Sequence, residues 1–428
     1  MLGIEYMDYE EQLIFQKRQF AYTLNYVMQN SEFYKNRLSK YKDIGIENID
    51  ELPIITKEDL LNHQSEIFCT TRKNYVDIVS TSGTTKKQRI VNPLTEIDLR
   101  RLAYNERISF EGTGITEDDI VLLTTALDGN FVAGYAYYLG IKEIGATVIR
   151  VGARNYTEQI SMIHNNLVTT IVGVASNLVQ MENYSKKNNL LYNPQFIKKL
   201  IIIGEAIRNR DLKLNQLGKR IQKIFPNADI YSTYANTECC LSFCECEGGC
   251  GGHLHPNLGY AEIVDNQGNV LPDGEIGRLI ITTFGVQGMP LIRYDTGDLT
   301  FINKEQCVCG KRSLRIGPIL GRTKQIIKLK GVSIGVNVLE EAILAIPSVL
   351  DYAIEVNNSS KNPLKIYVAL SESNNEDEIR ALVKESIWLK VRASSIIYIV
   401  GKEELINIQF KNNTRKPARI FFDESYFE

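Results

Sequence analysis

The sequence predicts an α/β protein with a large N-terminal domain, built on mostly parallel sheets, and a small C-terminal α+β domain. From about residue 78 to 320, short β-branched runs alternate with helix-length stretches, which is typical of parallel sheets. These runs lie at 120–124, 147–151, 169–174 and 200–203. Runs at 261–264 and 277–283 flank a turn-rich segment and predict an antiparallel subdomain. The smaller unit begins after Gly321 and Arg322.

The N-terminal segment is expected to be helical. Apolar positions such as Leu13, Phe20 and Leu24 recur among amides and charges and predict a helix over 12–45. Thr56 precedes a run of helix-forming residues and is predicted to be the N-cap of that helix.

Composition and charge point to a globular protein without a nucleic-acid or membrane partner. The 428 residues carry 49 Lys and Arg against 51 Asp and Glu, so the net charge of −2 gives no basic surface for a polyanion. The N-terminus lacks the apolar core of a signal peptide, and no uncharged apolar run approaches the length of a membrane span. We therefore expect a cytoplasmic protein.

The first chemical motif is a Ser/Thr-rich segment around a glycine, followed by two lysines. Its residues are Ser80, Thr81, Ser82, Gly83, Thr84, Thr85, Lys86 and Lys87. Backbone N–H groups and hydroxyls in such a loop can converge on phosphate oxygens, and lysine adds charge. The spacing differs from that of a Walker A loop. A polar turn after a strand explains the segment equally well.

Two further motifs carry an aromatic residue and carboxylates. Residues 231–238 contain Tyr234, which could stack on a purine, Thr237, which could bond to a phosphoryl or acyl oxygen, and Glu238, which could hold Mg²⁺. Residues 293–299 contain Asp298, whose carboxylate could accept both hydroxyls of a ribose. Alone, each segment could equally be a common strand end or a tight turn.

The cysteines are unevenly distributed and suggest a metal site. Five crowd into twelve positions, and Cys307 and Cys309 form a Cys-x-Cys-Gly. The crowded five are Cys239, Cys240, Cys244, Cys246 and Cys250. Together with His253, the thiolates of Cys246, Cys307 and Cys309 would suit tetrahedral Zn²⁺. Cys244, Cys250 and His255 are alternative ligands, and free thiols beside a glycine loop are the alternative reading.

Taken in order, these motifs resemble the adenylate-forming superfamily, most closely its phenylacetate–CoA ligase branch. Further features typical of the branch are Leu52-Pro53 followed by residues 56–60, the run 139–149, Gly204-Glu205-Ala206, and the Cys-x-Cys-Gly before Gly321. The resemblance covers nearly the whole chain. Many members of the branch also have a Cys followed by a His seven residues later and then Cys-x-Cys-Gly, which supports a structural zinc ion.

The resemblance implies a role for each matching residue. Thr81, Ser82, Gly83, Thr84, Thr85 and Lys87 would form a mobile loop over the β- and γ-phosphates. Gly204, Glu205 and Ala206 with Tyr234 would enclose adenine, beside Ala235 and Asn236. Thr237 would contact the α-phosphate, Glu238 would bind Mg²⁺, and Asp298 and Arg322 would hold the ribose. Residues 414–420 match the segment with the catalytic lysine, which falls on Lys416 and has Lys411 as its fallback.

The sequence departs from the family pattern at two places. Lys86-Lys87-Gln88 stands where Gly-Lys-Pro is usual, and the missing glycine should stiffen the loop. Arg415 stands where a glycine usually precedes the catalytic lysine.

The function implied by the resemblance is a two-step ligation in which ATP first converts a carboxylic acid to an acyl-adenylate and a thiol then takes the acyl group. Residues 1–321 would bind ATP and acid, and residues 322–428 would form a mobile lid that carries Lys416 and pivots at Lys324. CoA is the default thiol. A stand-alone adenylation enzyme that loads carrier-protein phosphopantetheine is the alternative, and a non-catalytic zinc-stabilised scaffold is the remote one.

The acid itself is not fixed by the sequence. Tyr135, Tyr137 and Tyr138 align with the acyl pocket of the branch and could line a slot for an aryl, arylacetic or short polar acid, although helix packing explains them equally well. An amino-acid substrate is neither supported nor excluded. The expected partners are thus a small carboxylic acid and CoA or an acyl carrier protein, with homodimerisation left open.

Overall fold

The structure is a computed structural model that describes residues 3–81, 89–165, 168–329, 332–357, 363–371, 375–411 and 417–422. Its helices, in chain order, are α1 Tyr9–Asn30, α2 Glu32–Leu38, α3 Lys57–Asn62, α4 Glu96–Glu111, α5 Val132–Ile144, α6 Tyr156–Asn165, α7 Ala175–Lys187, α8 Gln216–Ile224, α9 Val336–Leu344, α10 Glu376–Val391 and α11 Lys402–Gln409. None of these helices combines the length and apolar character that a bilayer crossing requires.

Within the described residues, the strands form five sheets. They are β1 Asp77–Ser80, β2 Val91–Leu94, β3 Ile120–Leu123, β4 Thr147–Arg150, β5 Thr170–Gly173, β6 Lys199–Ile203, β7 Asp229–Asn236, β8 Leu241–Cys244, β9 Gly252–His253, β10 Gly259–Val264, β11 Gly277–Thr283, β12 Tyr294–Thr300, β13 Ile302–Asn303, β14 Arg315–Ile316, β15 Gly321–Arg322, β16 Ile326–Leu329, β17 Val332–Gly335, β18 Val349–Val356, β19 Leu364–Leu370, β20 Ser395–Ile399 and β21 Ile420–Phe422.

The largest sheet has nine strands in the order β13-β14-β9-β8-β7-β6-β5-β3-β4. Its β7-β6-β5-β3-β4 part is parallel, and the remainder is antiparallel. The predicted parallel α/β architecture is therefore confirmed. Branched apolar residues fill these strands because helices pack on both faces of the parallel part and keep water from either side.

The predicted antiparallel subdomain is also confirmed. Strands β10, β11, β12 and β15 form a four-stranded sheet in that order, and Ala261 pairs with Ile281 across the first two strands. Asp298 on β12 lies directly opposite Arg322 on β15. This register brings two of the predicted nucleotide ligands side by side.

The C-terminal part has its own sheets and its own apolar core. The hairpin β16–β17 precedes a four-stranded sheet in the order β20-β19-β18-β21, against which α9 and α10 pack. This α+β arrangement agrees with the expected fold class. The division into a domain of residues 1–321 and a mobile lid of residues 322–428 stays a prediction.

The helix predicted over 12–45 is wrong in its extent. The chain forms α1 from Tyr9, breaks at Ser31, and continues as the short α2. Ser31 is extended, and its hydroxyl accepts the backbone N–H of Tyr34, so it caps a new helix instead of continuing the old one. The predicted cap at Thr56 is confirmed, because Thr56 and Asp59 form a reciprocal capping box at the start of α3.

A buried ion pair joins the N-terminal segment to the antiparallel sheet. Arg293 is 1% exposed, and its guanidinium donates to the carbonyl oxygens of Asp50 and Leu52 and to the carboxylate of Glu262. Burial raises the pKa of Glu262, and Arg293 opposes that rise. Removing one partner of such a pair leaves an uncompensated buried charge.

We therefore expect Arg293→Ala to lower the free energy of unfolding by about 3–5 kcal/mol. Arg100→Ala is the matched control, because its pair with Glu96 lies on the surface of α4 and is worth about 0.3–0.5 kcal/mol. Urea unfolding followed by far-UV circular dichroism measures both effects, since the single tryptophan, Trp388, lies in the C-terminal part. Equal losses in the two variants would contradict this account of Arg293.

A second buried acid, Glu106 on α4, should make stability depend on pH. Burial raises the pKa of Glu106 from its ordinary 4.5 to about 7. The folded state therefore holds this proton more tightly, and stability is lost as pH rises from about 4.5 to about 7. Glu106→Gln should remove that loss and be roughly 3 kcal/mol more stable than wild type at pH 8.

Unfolding measured from pH 5 to 8.5 tests this expectation. Glu111→Gln on the same helix is the control, because Glu111 is exposed and pairs with Arg107 at the surface. A wild-type profile that matches the Glu106→Gln profile across this range would refute it.

Candidate active site

The predicted nucleotide residues meet at the carboxyl ends of the parallel strands. Register pairs Ile203 on β6 with Thr233 on β7, so Gly204 and Tyr234 emerge side by side. Gly204 has a φ of 71°, which glycine adopts without steric cost, and both Gly204 and Ala206 are exposed. Such a sheet edge is the usual place for a ligand in an open α/β sheet.

A buried carboxylate links this edge to the antiparallel sheet. The Tyr234 hydroxyl donates to Asp298 Oδ2 at 2.7 Å, and Arg322 Nε donates to Asp298 Oδ1 at 2.8 Å. Burial and the neighbouring Asp298 carboxylate raise the pKa of Tyr234, so its hydroxyl stays protonated as a donor. A carboxylate accepts about four hydrogen bonds, so Asp298 keeps acceptor capacity for ligand hydroxyls.

Glu238 lies in the turn after β7 beside a cation and a hydroxyl. Its Oε1 is 3.3 Å from the hydroxyl of Tyr294 and 3.5 Å from Nζ of Lys57. The side chain is 10% exposed, so neighbouring groups cover most of it. Thr237 and Asn236 are half-buried and Ala235 is exposed on the same strand end. A carboxylate held in this way is a suitable ligand for Mg²⁺.

The Ser/Thr-rich loop is held at both ends next to this turn. Thr81 N donates to the carbonyl of Ile90 at 3.0 Å, and Ile90 N donates to Thr81 Oγ1 at 3.2 Å. On β2, Asn92 Nδ2 donates to the carbonyls of Thr237 and Glu238 at 3.2 and 3.3 Å. The predicted phosphate residues Ser82, Gly83, Thr84, Thr85 and Lys87 lie between these anchors and outside the described residues.

The remaining predicted residues, the catalytic lysine, its fallback and the hinge lysine, belong to the C-terminal part of the sequence. Lys416 lies outside the described residues. Lys324 is in the 3-10 helix Thr323–Gln325, directly after β15. The fallback residue Lys411 places its ammonium 4.1 Å from the ring centre of Phe421.

The three tyrosines of α5 have different surroundings. Tyr137 is 2% exposed and packs against Phe110 with ring centres 5.5 Å apart, so it belongs to the core between sheet and helix. Tyr138 lies under the guanidinium of Arg150 at 5.0 Å, and Tyr135 is exposed. A role of these residues in an acyl pocket stays a prediction.

Four predicted metal ligands come together in the antiparallel part of the nine-stranded sheet, around β8, β9, β13 and β14. The donor atoms of Cys246, His253, Cys307 and Cys309 all lie within 4.8 Å of one another, with Cys246 Sγ 3.5 Å from Cys307 Sγ. The loop after β8 carries Cys246, β9 carries His253, and the segment between β13 and β14 carries the other two. The group could hold one metal ion.

The protonation of this group suits a metal. Burial lowers the pKa of His253 to about 2, so its imidazole is neutral. His253 Nδ1 is 3.0 Å from Ser313 Oγ, and a proton there leaves Nε2, which is 3.6 Å from Cys309 Sγ, free to bind. Burial also raises the pKa of Cys246, so its thiolate needs a nearby positive charge.

The alternative ligands are engaged with other groups. His255 uses Nδ1 with Glu5 at 3.2 Å and Nε2 with Ser109 at 3.0 Å. Cys250 Sγ lies 2.9 Å from the carbonyl of Gly248, and Cys244 Sγ accepts the Thr233 hydroxyl at 2.8 Å.

Sequence reasoning missed several residues that shape the site. Lys57 and Tyr294 stand inside quoted motifs but carried no assigned role, and Ser176 and Arg419 bind Glu205. No local sequence signal identifies Asn92, because its contacts to the turn after β7 span more than 140 residues. The buried Glu106 behind α5 also gave no signal in the sequence.

Comparison with known proteins supports the interpretation of the motifs. No model of a known protein family matches the chain. The chain is 28% identical over 362 residues to the phenylacetate–coenzyme A ligase of Thermus thermophilus, which covers 82% of this chain and 79% of that protein.

Solved structures confirm the fold. A 2-hydroxyisobutyryl-CoA ligase in the postadenylation state, bound to R3-HIB-AMP, superimposes with a TM-score of 0.83 at 17% identity, over 99% of this chain and 92% of that one. The same ligase in the thioesterification state, with 2-HIB-AMP and CoA, gives a TM-score of 0.69 over the same shares. The resemblance seen in the motifs is confirmed: the chain is a homologue of the phenylacetate–CoA ligases and has the fold of the adenylate-forming enzymes.

Proposed function

We propose that this chain is an AMP-forming acid–thiol ligase that activates a carboxylic acid with ATP and transfers the acyl group to CoA. The observation that carries this proposal is the group of Tyr234, Asp298 and Arg322 beside Glu238, at the open edge of the parallel sheet. It combines an acceptor for ribose hydroxyls with a carboxylate for a divalent cation. Homology to named phenylacetate–CoA ligases supports the same activity.

The adenosine end of ATP fits the edge formed by β6, β7 and β12. Gly204 to Ala206 and the ring of Tyr234 border the space for adenine, and Asp298 offers acceptors for the ribose. Arg322 is 60% exposed at its side chain, so its guanidinium can also reach ligand oxygens. The carboxylate of Asp298 is already oriented by two donors and needs little rearrangement when nucleotide binds.

We assign the phosphate end of ATP to the side of the site where Glu238 and the described Thr81 lie, because Asn92 on β2 bonds to the turn that carries Glu238. We assign Thr81, Ser82, Gly83, Thr84, Thr85 and Lys87 to the β- and γ-phosphates, Thr237 to the α-phosphate, and Glu238 to Mg²⁺. When bound, Mg²⁺ supplies charge neutralisation to the phosphates. The hydrogen bonds between Thr81 and Ile90 fix two described residues that flank this segment.

We assign the catalytic cation of adenylation to Lys416, which would bridge the attacking carboxylate and the α-phosphate while the bond to pyrophosphate breaks and negative charge moves to that leaving group. After residues 322–428 rotate about Lys324, a thiol, losing its proton, attacks the acyl carbon of the adenylate and expels AMP. The chain superimposes better on the postadenylation-state structure, with a TM-score of 0.83, than on the thioesterification-state structure, with 0.69. Loading of a carrier-protein phosphopantetheine, a homodimeric state and a cytoplasmic location stay predictions from the sequence.

The proposed activity is tested by pyrophosphate release with aryl, arylacetic, fatty and amino acids, with and without CoA. We expect release with at least one acid and thioester formation only when CoA is added. Absence of pyrophosphate release with every acid would exclude the proposed function. Thioester transfer to a phosphopantetheine carrier but not to CoA would favour the carrier alternative.

Lys416→Ala should lower the rate of adenylation by a factor of 10² or more, on the order of the effect of removing one transition-state donor, while thioester formation from supplied acyl-adenylate changes little. Lys411→Ala is the matched control, because the Lys411 ammonium lies over Phe421 and should be dispensable for the first step. The assignment fails if Lys416→Ala impairs both half-reactions equally or if Lys411→Ala alone abolishes adenylation.

We also propose that Cys246, His253, Cys307 and Cys309 bind one structural zinc ion. Tetrahedral Zn²⁺ with Zn–S bonds of about 2.3 Å holds sulfurs about 3.8 Å apart, close to the 3.5 Å between Cys246 and Cys307. Protein side chains occupy all four positions, so the ion would have no open site for catalysis. Its effect on activity would be indirect, through the loops that it joins.

Purified protein should contain about one zinc ion per chain by elemental analysis, and Cys307→Ser should lose it and melt at a lower temperature. Cys250→Ser is the matched control, because Cys250 lies in the same loop but bonds to a carbonyl outside the cluster. Zinc retained in Cys307→Ser and lost in Cys250→Ser would reassign the ligands. Wild-type protein that neither contains nor binds zinc would refute the proposal.

A further inference from the structure

Arg419 forms an ion-pair bridge between the C-terminal sheet and residues 204–206, the loop after β6 that is assigned to adenine and is called the adenine loop below. Its Nη1 donates to Glu205 Oε1 at 2.6 Å, and its Nε donates to Asp351 Oδ1 at 3.0 Å. Asp351 lies on β18 within the C-terminal sheet, whereas Glu205 follows β6 of the nine-stranded sheet. One guanidinium therefore joins two separate cores.

The bridge is largely removed from water. The side chains of Arg419 and Glu205 are 16% and 15% exposed. Burial alone would lower the pKa of Arg419, but the carboxylates of Asp351 and Glu205 outweigh it and raise that pKa. The Arg419 guanidinium also lies 5.5 Å from the ring centre of Tyr352. These contacts fix the planar guanidinium in one orientation.

If the contact between Arg419 and Glu205 opens, each of these two side chains keeps other polar contacts. Glu205 also accepts the backbone N–H and the hydroxyl of Ser176, at 2.8 and 2.7 Å. Arg419 retains Asp351, which belongs to its own sheet. Opening the contact between Arg419 and Glu205 thus leaves neither charge alone, unlike the usual rupture of a buried pair. A contact of this kind can hold one arrangement and still release it.

A second arginine also joins the nine-stranded part to the C-terminal part. Arg220 on α8 donates to the carbonyls of Leu344, Ile346 and Val349 at 2.6 to 2.7 Å. These three carbonyls lie between α9 and the start of β18. The acceptors are neutral backbone oxygens near the end of a helix, and none of them belongs to the adenine loop. Arg220 therefore contacts the C-terminal part independently of that loop.

We infer that Arg419 is a positioning residue for the adenylation step: by binding Glu205 it holds the chain, at a point three residues after Lys416 in the sequence, against the loop of residues 204–206. Arg419 follows Lys416 by three residues, and three residues of chain span at most about 11 Å. The inference rests on the proposed function. It adds a residue whose contact with Glu205 forms for adenylation and opens before the thiol attacks the acyl-adenylate.

The test compares Arg419→Ala and Arg419→Lys with Lys365→Ala. Lys365 is the matched control, because its ion pair with Glu355 at 2.7 Å stays within the C-terminal sheet. Adenylation is followed as pyrophosphate release with phenylacetic acid, or with the acid that the screen selects. Thioester formation is followed from the corresponding synthetic acyl-adenylate and CoA. Hydrogen exchange of α7 and β18, the segments that carry Ser176 and Asp351, reports on the interface without any substrate.

Arg419→Ala should lower kcat of adenylation about 10²-fold, the effect of a small misplacement of a catalytic group, and change the KM for ATP less than about threefold. Thioester formation should stay near the wild-type rate. Arg419→Lys should be intermediate, because lysine keeps the charge but cannot bridge both carboxylates. Hydrogen exchange at α7 and β18 should accelerate in Arg419→Ala. In Lys365→Ala exchange at α7 should stay unchanged, and any change should stay within the C-terminal sheet, because Glu355 lies on β18.

Equal loss of both half-reactions, or adenylation within about twofold of wild type in Arg419→Ala, would overturn the inference while leaving the ligase function intact. If wild-type protein activates none of the acids, the proposed function fails, and hydrogen exchange decides whether Arg419 anchors the interface. Should Arg419→Ala misfold, Asp351→Asn replaces it, since it weakens the same anchor from the other carboxylate. Unchanged exchange and activity in that variant would also overturn the inference.

Discussion

The buried carboxylate of Asp298 is the interaction on which the arrangement of the site depends. It lies on the antiparallel sheet, yet one of its two donors, Tyr234, comes from the parallel sheet. Its other donor, Arg322, is its direct neighbour across β12 and β15. A buried carboxylate without donors would be costly, and the antiparallel sheet supplies only Arg322, so the donor from Tyr234 depends on how the two sheets approach. The nucleotide edge is thus fixed by the same bonds that join the sheets.

Buried arginines supply hydrogen-bond donors to the loops around the contact between the two sheets. Arg101 on α4 donates to the carbonyls of Phe284, Cys240 and Leu258, and Arg293 does the same for Asp50 and Leu52. Loop carbonyls that leave water need donors, and one guanidinium offers five N–H groups in a fixed plane. A few arginines therefore satisfy irregular backbone that regular secondary structure cannot reach. The loops that carry candidate ligands are held by such contacts.

The fold class could be predicted because strand spacing and turn chemistry are local. Runs such as 120–124 and 200–203 became parallel strands with ends shifted by about one residue, and Thr56 became the predicted cap. The long helix failed at Ser31, since a serine within a helical pattern is compatible with either continuation or capping. Tyr137 illustrates the limit for the site, because periodicity cannot tell a residue that faces a pocket from one that faces Phe110.

Contacts between distant segments account for most of what the sequence did not reveal. Asn92 binds the turn after β7, and Arg419 binds Glu205 more than 200 residues away. Neither contact leaves a pattern in the neighbouring sequence, because the geometry that selects these residues exists only after the sheets have assembled. The cysteine cluster is the exception, since the residue types together with the resemblance indicated four side chains, with alternatives left open, and those four do come together.

The location of the cysteine cluster explains why a structural ion would matter for a site that it does not touch. Strand β8 begins three residues after Glu238, and β13 begins four residues after Asp298. The chain runs from each of these carboxylates through a short strand into one half of the cluster, with Cys246 and His253 on one side and Cys307 and Cys309 on the other. An ion bound to all four would close the loops from both carboxylates at their far ends. Movement of Glu238 relative to Asp298 would then be limited from both directions, by the bond between Tyr234 and Asp298 and by the metal.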